Sequence, residues 1–183
     1  ARIPLIVSLP EKAERDSCFD STPAVLEDVY PTILDIAGVE SPGTPDRIDG
    51  LSLMPLYGAG SDDTDSGTGS DAIGERAYVH GEHSACYDAE NAMQFLTDGQ
   101  EKFIWNPVTG AEQLFDLRTD PNECRELSCD PNYADRRSHW RQRLVEKLEP
   151  RQEDGLSDGK HLIPGASPPA VRRGLPVADF SKK

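Results

Sequence analysis

The sequence predicts an α/β fold, which becomes α+β when the chain is taken in isolation. Two observations lead to this prediction. Residues 3–9 form a nearly continuous apolar run, which is typical of a strand buried on both faces of an α/β sheet. Farther along, four strand candidates precede one amphipathic helix. We therefore expect a small four-stranded antiparallel sheet packed on a C-terminal helix.

A short helix is predicted at residues 28–38. Asp28 belongs to the residue types that cap the free N–H groups of a first turn, and Pro31 lies where proline does little harm. Gly38 stands where a left-handed residue commonly ends a helix. The spacing of its apolar side chains predicts one buried face, formed by Val29, Ile33, Ile36 and Ala37.

Residues 58–75 are a tract of Gly, Ser and Asp that cannot bury a core. We expect a flexible acidic loop there, which divides the chain into two structural units. Residues 1–57 would then be the end of an α/β core.

The second unit contains short apolar runs separated by turn signals. The strand candidates are residues 76–81, 92–97, 102–105 and 113–117. Asp98-Gly99 joins the second to the third at hairpin spacing.

A helix is predicted to begin at Asp130-Pro131 and to end at Pro150. Its Trp140, Leu144 and Leu148 recur every four residues and would cover one face of the sheet. We place the sheet and this helix at residues 76–149, and an extended tail at residues 150–183.

The charge balance restricts the partners of the chain. Its 33 acidic and 19 basic Lys and Arg residues give a formal net charge of −14. Such a surface argues against nucleic acid as a partner, because phosphate binding needs clustered cations. No apolar run reaches the ~20 residues of a membrane span. The chain has no basic-then-apolar signal region. It begins without Met and enters a buried strand candidate at once, so we expect a piece of a longer protein. The sequence predicts no compartment.

Four cysteines, Cys18, Cys86, Cys124 and Cys129, are too few for a disulfide scaffold. Cys124 and Cys129 could pair in an oxidising compartment, although free thiols are favoured.

Six segments in order resemble the C-terminal part of a type I sulfatase of the alkaline-phosphatase-like superfamily. They are residues 2–7 (RIPLIV), 28–38 (DVYPTILDIAG), 49–53 (DGLSL), 102–105 (KFIW), 112–117 (EQLFDL) and 120–123 (DPNE). The HGEHS sequence that begins at His80 is similar to that of bacterial or archaeal arylsulfatase-like members. The resemblance implies that residues 1–57 hold the last strand and helix of a sulfatase α/β core.

The resemblance also implies a substrate, namely a sulfated small molecule such as an aryl sulfate, or a sulfated carbohydrate. Sulfatases of this family use a formylglycine, made within a Cys-x-Pro-x-Arg or Cys-x-Ala-x-Arg motif, and calcium. The chain shows neither that motif nor the family's calcium ligands, so we predict no catalytic residue and no bound cofactor in this segment. Two alternatives stay open, a non-catalytic interaction module of the same fold and part of a related phosphodiesterase or phosphonate hydrolase.

Three residues at the start of the sheet, His80, Glu82 and His83, are candidates for substrate binding. In a strand, His80 and Glu82 share one face and His83 points to the other, which disfavours a metal site. An imidazole at the rim of a cleft could donate to a sulfate oxygen or a sugar hydroxyl. Packing of His80 and solvation of Glu82 are the alternatives.

Other polar and aromatic residues have ordinary structural explanations. Lys102 could face an anion but is expected to flank a turn, and Trp105 could stack on a sugar but is expected to pack on the C-terminal helix. Asp116 and Asp120 are expected to cap turns rather than to form an acid and base pair.

Overall fold

The computed structural model describes residues 5–8, 22–39, 50–58, 73–83 and 89–165. Within them lie three helices and four strands. The helices are α1 (Val29–Ala37), α2 (Met54–Gly58) and α3 (Ala134–Leu148), and the strands are β1 (Val79–His83), β2 (Met93–Thr97), β3 (Glu101–Trp105) and β4 (Glu112–Asp116). Most of the predicted acidic loop at residues 58–75 lies outside the described residues.

The four strands form one antiparallel sheet in the order β1-β2-β3-β4, as predicted. The turn between β2 and β3 is closed by Asp98, whose Oδ1 accepts the backbone N–H groups of Gln100 and Glu101. Gly99, which follows Asp98, has a φ of +84°, a left-handed conformation that favours glycine. Local turn chemistry therefore fixes the pairing of these two strands.

The core lies between one face of the sheet and α3. Leu96, Phe103, Trp105 and Leu114 alternate along the strands and meet Trp140, Leu144 and Leu148 of the helix. Leu127 and Leu156 complete this cluster. Burying each large apolar side chain contributes roughly 1.5–3 kcal/mol, so this contact is the main source of stability for the sheet. The predicted sheet packed on a C-terminal helix is confirmed.

The edge of β4 is covered by the segment that follows it. Glu126 accepts the N–H of Leu114 on Oε1, and the N–H of Leu127 donates to the backbone oxygen of Leu114. Strand β1 forms the other edge of the sheet.

The buried strand predicted at residues 3–9 is not seen in its described part. Residues 5–8 have no regular secondary structure, and Ile6 is 88% exposed. A strand needs hydrogen-bonding partners on its edges, and the described sheet pairs only β1 to β4 with one another. An apolar run alone does not create a strand.

Helix α1 has the predicted ends but uses Asp28 differently. Gly38 closes the helix at a φ of +62°, as expected. The Asp28 carboxylate, however, makes no capping hydrogen bond to α1. It accepts instead from the N–H groups of Val25 and Leu51 and from Arg76, because these donors converge on it from three segments.

The predicted apolar face of α1 is not buried in the described structure. Ile33 is 57% exposed and Ile36 47% exposed. Thr32 is buried instead; its hydroxyl donates to the backbone oxygen of Asp28 and accepts the N–H of Leu53. A polar contact, and not the apolar stripe, joins α1 to the segment after it.

After α3 the chain turns back to the core. A short 3-10 turn at Gln152–Asp154 is followed by a bridge between Ser157 and Leu162, and Leu156 is buried. This is the described part of the predicted tail, whose residues 166–183 lie outside the described residues.

Candidate functional site

The three candidate residues lie on β1, and the strand divides them between two faces. His80 is opposite Leu96 and Glu82 is opposite Gln94 in the register of β1 and β2. Because Leu96 is a core residue, this pair of side chains lies on the face that packs on α3. His83 is exposed on the opposite face.

Gln94 joins the two candidates on the inner face. His80 Nε2 lies 2.7 Å from Gln94 Oε1, and Gln94 Nε2 donates to Glu82 Oε2 over 3.2 Å. A carbonyl oxygen only accepts, so Nε2 of His80 carries the proton in this bond. In the neutral ring Nδ1 is then the nitrogen able to accept a hydrogen bond.

Glu82 is held from a second side by Arg151. Arg151 Nη1 donates to Glu82 Oε2 over 2.9 Å, and the same guanidinium contacts Asp154. The Glu82 side chain keeps 44% of its surface exposed, so this end of the group is reached by solvent.

The surroundings of His80 and Glu82 lower the pKa of both side chains. Burial lowers the pKa of His80 below its usual value and outweighs the hydrogen bond to Gln94 and the charge of Glu82. Burial raises the pKa of Glu82, but hydrogen bonds from Arg151 and Gln94 lower it more, so the net pKa lies below its usual value. At neutral pH His80 is neutral and Glu82 is ionised.

This arrangement suits a hydroxyl better than a sulfate. A neutral imidazole acceptor beside a carboxylate can bind the O–H groups of a sugar, whereas the Glu82 charge repels a sulfate oxygen. The group can therefore orient a polar, uncharged part of a ligand.

The remaining predicted candidates have structural partners. Lys102 pairs with Glu123 at 2.7 Å and lies over the ring of Phe95. Trp105 is 2% exposed in the core, so it offers no ring face to a sugar.

Asp116 at the end of β4 and Asp120 in the turn after it do not form an acid and base pair. Asp116 is bound by Arg118 and Arg136, and the Arg118 hydrogen bond lowers its pKa. Asp120 accepts the N–H of Arg125 and stabilises a turn, as predicted.

Gln94 and Arg151 were not among the sequence candidates. Gln94 carries a usable signal, since it is a polar residue at an inward position of a strand that otherwise buries apolar side chains there. Arg151 carries none, because it reaches Glu82 only through the turn after α3.

A cation site is not apparent among these residues. Within the part of the chain that the structure describes, no group of three or more His, Cys, Asp or Glu side chains is placed to hold a metal. The buried carboxylate Asp28 is instead neutralised by Arg76, and Glu112 by Arg141.

Two further properties concern the described residues. Cys124 and Cys129 are exposed and unpaired. No described helix has the length and apolar character needed to cross a bilayer.

Comparison with known proteins gives a consistent result. The family described as "N-sulphoglucosamine sulphohydrolase, C-terminal" matches residues 1–150. The arylsulfatase of Clostridium perfringens (strain 13 / Type A) is 33% identical over 168 residues, which cover 90% of this chain and 31% of that protein. Arylsulfatase K of Xenopus laevis is 36% identical over 130 residues, which cover 70% of this chain and 23% of that protein.

Solved structures show the same fold. BT4656, in complex with its substrate D-glucosamine-2-N,6-O-disulfate, superposes with a TM-score of 0.52 at 24% identity, over 69% of this chain and 24% of that one. BT1596, a 2-O GAG sulfatase, superposes with a TM-score of 0.53 at 22% identity, over 76% of this chain and 31% of that one. The chain thus spans less than a third of the length of each of these relatives.

Proposed function

Because the chain belongs to the family of N-sulphoglucosamine sulphohydrolase C-terminal regions, we propose that it is the C-terminal segment of an enzyme that hydrolyses sulfate esters. The substrate class is a sulfated carbohydrate or an aryl sulfate. The observation that carries the proposal is the family match over residues 1–150, supported by arylsulfatase relatives at 33% and 36% identity.

The role of this segment is to shape the substrate cleft. His80, Gln94 and Glu82 form one hydrogen-bonded group at the edge of the sheet, and Arg151 holds its outer end. With His80 neutral and Glu82 ionised, the group would position a sugar hydroxyl and keep the sulfate itself at a distance. His83, on the other face, would contact a ligand only from the opposite side of the sheet.

The catalytic groups would come from outside this segment. Cys129 is followed by Asp-Pro-Asn-Tyr, so it shares the Cys-x-Pro start of the formylglycine motif but has Tyr133 in place of the arginine. The calcium of the complete enzyme would neutralise the sulfate oxygens, and its ligands would come from outside this segment. The part supplied by this segment is orientation of the substrate.

The experiment is a kinetic comparison in the full-length enzyme that contains this segment. His80→Ala should lower kcat/KM for a sulfated saccharide by ten-fold or more, equivalent to ~1.4 kcal/mol or above. His161→Ala is the matched control, because the His161 side chain is 77% exposed and bonds to Asp158 in its own turn. A melting curve for each variant separates a lost contact from a lost fold.

Three outcomes decide the proposal. Unchanged kinetics in His80→Ala would remove His80 from the substrate site. Hydrolysis of phosphodiesters or phosphonates in place of sulfate esters would assign the enzyme to the related hydrolases. The absence of both activities would support an interaction module.

A further inference from the structure

One flank of α3 presents three basic side chains, four residues apart. They are His139, Arg143 and Lys147, and this spacing places them on one face of the helix. The flank lies beside the start of β1, because the Arg143 guanidinium is 5.1 Å from the ring of Tyr78, which precedes the strand, and the charge of Lys147 lowers the pKa of His80. We call the pair Arg143 and Lys147 the basic flank.

Within the described part of the chain, the basic flank has no ion-pair partner. Among described residues 73–83 and 89–165, each Lys and Arg takes part in an ion pair except Arg143, Lys147 and Lys160. Two like charges at this spacing on a helix repel each other. An external anion would relieve this repulsion.

The Arg143 guanidinium is held in place by two aromatic rings. Its guanidinium lies 5.1 Å from the Tyr78 ring and 5.3 Å from the Trp140 ring. These cation–π contacts use no N–H group of a kind that a carboxylate would occupy, so among the described residues the guanidinium keeps donors for an oxyanion. A group fixed in this way loses little side-chain entropy on binding.

The surroundings limit where an anion can lie. Asp98 and Asp135 line the groove near His139, so that end repels an anion. At the other end the ion pair with Arg151 reduces the repulsion by Glu82 without removing it. The favourable position is therefore between Arg143 and Lys147.

We propose that Arg143 and Lys147 form an anion-binding surface that holds a sulfated saccharide chain beside strand β1. The inference rests on the proposed function, from which the ligand class is taken. Since the chain carries a net charge of −14, a polyanion is repelled by most of its surface and is concentrated at an unpaired basic site. The site is distinct from the His80 group, which suits an uncharged hydroxyl.

The test is direct binding, by titration calorimetry, of a heparin-derived hexasaccharide to the complete 183-residue chain. Saturable binding should weaken as salt rises, and the desulfated hexasaccharide should bind at least ten-fold more weakly. Lys147→Gln should weaken binding about five-fold, and adding Arg143→Gln should weaken it further. Lys160→Gln is the matched control, since Lys160 is also unpaired but lies near Arg141 and Gln142 on another flank of α3.

The outcomes separate this inference from the proposed function. Equal affinity of Lys147→Gln and the natural sequence would overturn the inference, and so would an equal loss in Lys160→Gln. Lys147 is exposed, so that variant should fold even if Arg143→Gln does not. Polyglutamate binding as tightly as the sulfated chain would also overturn it. Binding is measured without turnover. An enzyme that binds the sulfated chain but does not hydrolyse sulfate esters would therefore contradict the proposed function and leave this inference intact.

Discussion

Asp28 and Arg76, 48 residues apart, are joined by two hydrogen bonds of 2.6 and 2.7 Å. The Asp28 side chain is fully buried and also accepts the N–H groups of Val25 and Leu51. Its carboxylate therefore ties the start of α1 and the segment before α2 to the residues that enter β1. Burial raises its pKa, but these hydrogen bonds, led by that of Arg76, lower it further than burial raises it.

Asp28→Asn should lower the free energy of unfolding of this region by about 3 kcal/mol, because it leaves Arg76 partly buried without a counterion. Urea unfolding followed by circular dichroism measures the loss. Asp158→Asn is the control, since Asp158 is exposed and bonds only within its own turn. A loss no larger than that of the control would show that the ion pair is replaceable.

The stability of the sheet should fall as the pH drops below about 6.5. The pKa of His80 is lower in the folded chain than in the unfolded chain, so the unfolded chain binds more protons in this range. The contribution of His80 to stability is fully present above the pKa that this residue has in the unfolded chain, and it is lost as the pH falls towards the pKa in the folded chain. Unfolding in urea between pH 5 and 8 should show this slope.

His80→Gln should flatten that slope, because the titrating imidazole is gone. His139→Gln should keep it, since His139 is an exposed imidazole outside this hydrogen-bonded group. A slope that survives His80→Gln would assign the pH dependence to another group.

Gly81→Ala should destabilise the sheet by roughly 1–3 kcal/mol through overpacking. A Cβ at this position would lie 2.2 Å from Cζ of Phe95, which covers Gly81 on the outer face. Phe95→Leu should restore part of the loss in the double variant, because it removes the ring. Gly74→Ala is the control, as an added Cβ there meets nothing within 4 Å. Thermal unfolding of the natural chain, the two single variants, the double variant and the control gives the comparison, and additive losses would contradict the steric explanation.

The sheet and α3 could be predicted from the sequence because their signals are local. Asp98-Gly99 specifies a hairpin, and Trp140, Leu144 and Leu148 mark the buried stripe of the helix. The resemblance to type I sulfatases is confirmed by the family match over residues 1–150 and by the arylsulfatase relative at 33% identity. The strand predicted at residues 3–9, in its described part, and the predicted capping role of Asp28 were wrong, because the structure there depends on partners distant in sequence.

The candidate site shows the same division. The alternation of a strand places His80 and Glu82 on one face, as predicted, and His83 on the other. The connection between them depends on the register that sets Gln94 opposite Glu82, and on the turn that brings Arg151 back. Neither feature can be predicted from the residues of β1. The sequence therefore indicated His80 and Glu82 but not Gln94, which joins them.

Gln94→Met tests whether this bridge is structural. The variant leaves the N–H of a largely buried His80 without its acceptor, which should cost roughly 1–3 kcal/mol of unfolding free energy. Replacing both partners, in His80→Leu/Gln94→Met, should recover most of that loss, because no buried polar group is then left unpaired. A double-mutant cycle by urea unfolding measures the coupling. If the double variant is stable but the full-length enzyme carrying it loses activity on a sulfated saccharide, the polar group serves the substrate; if stability and activity are both kept, His80 is a packing residue.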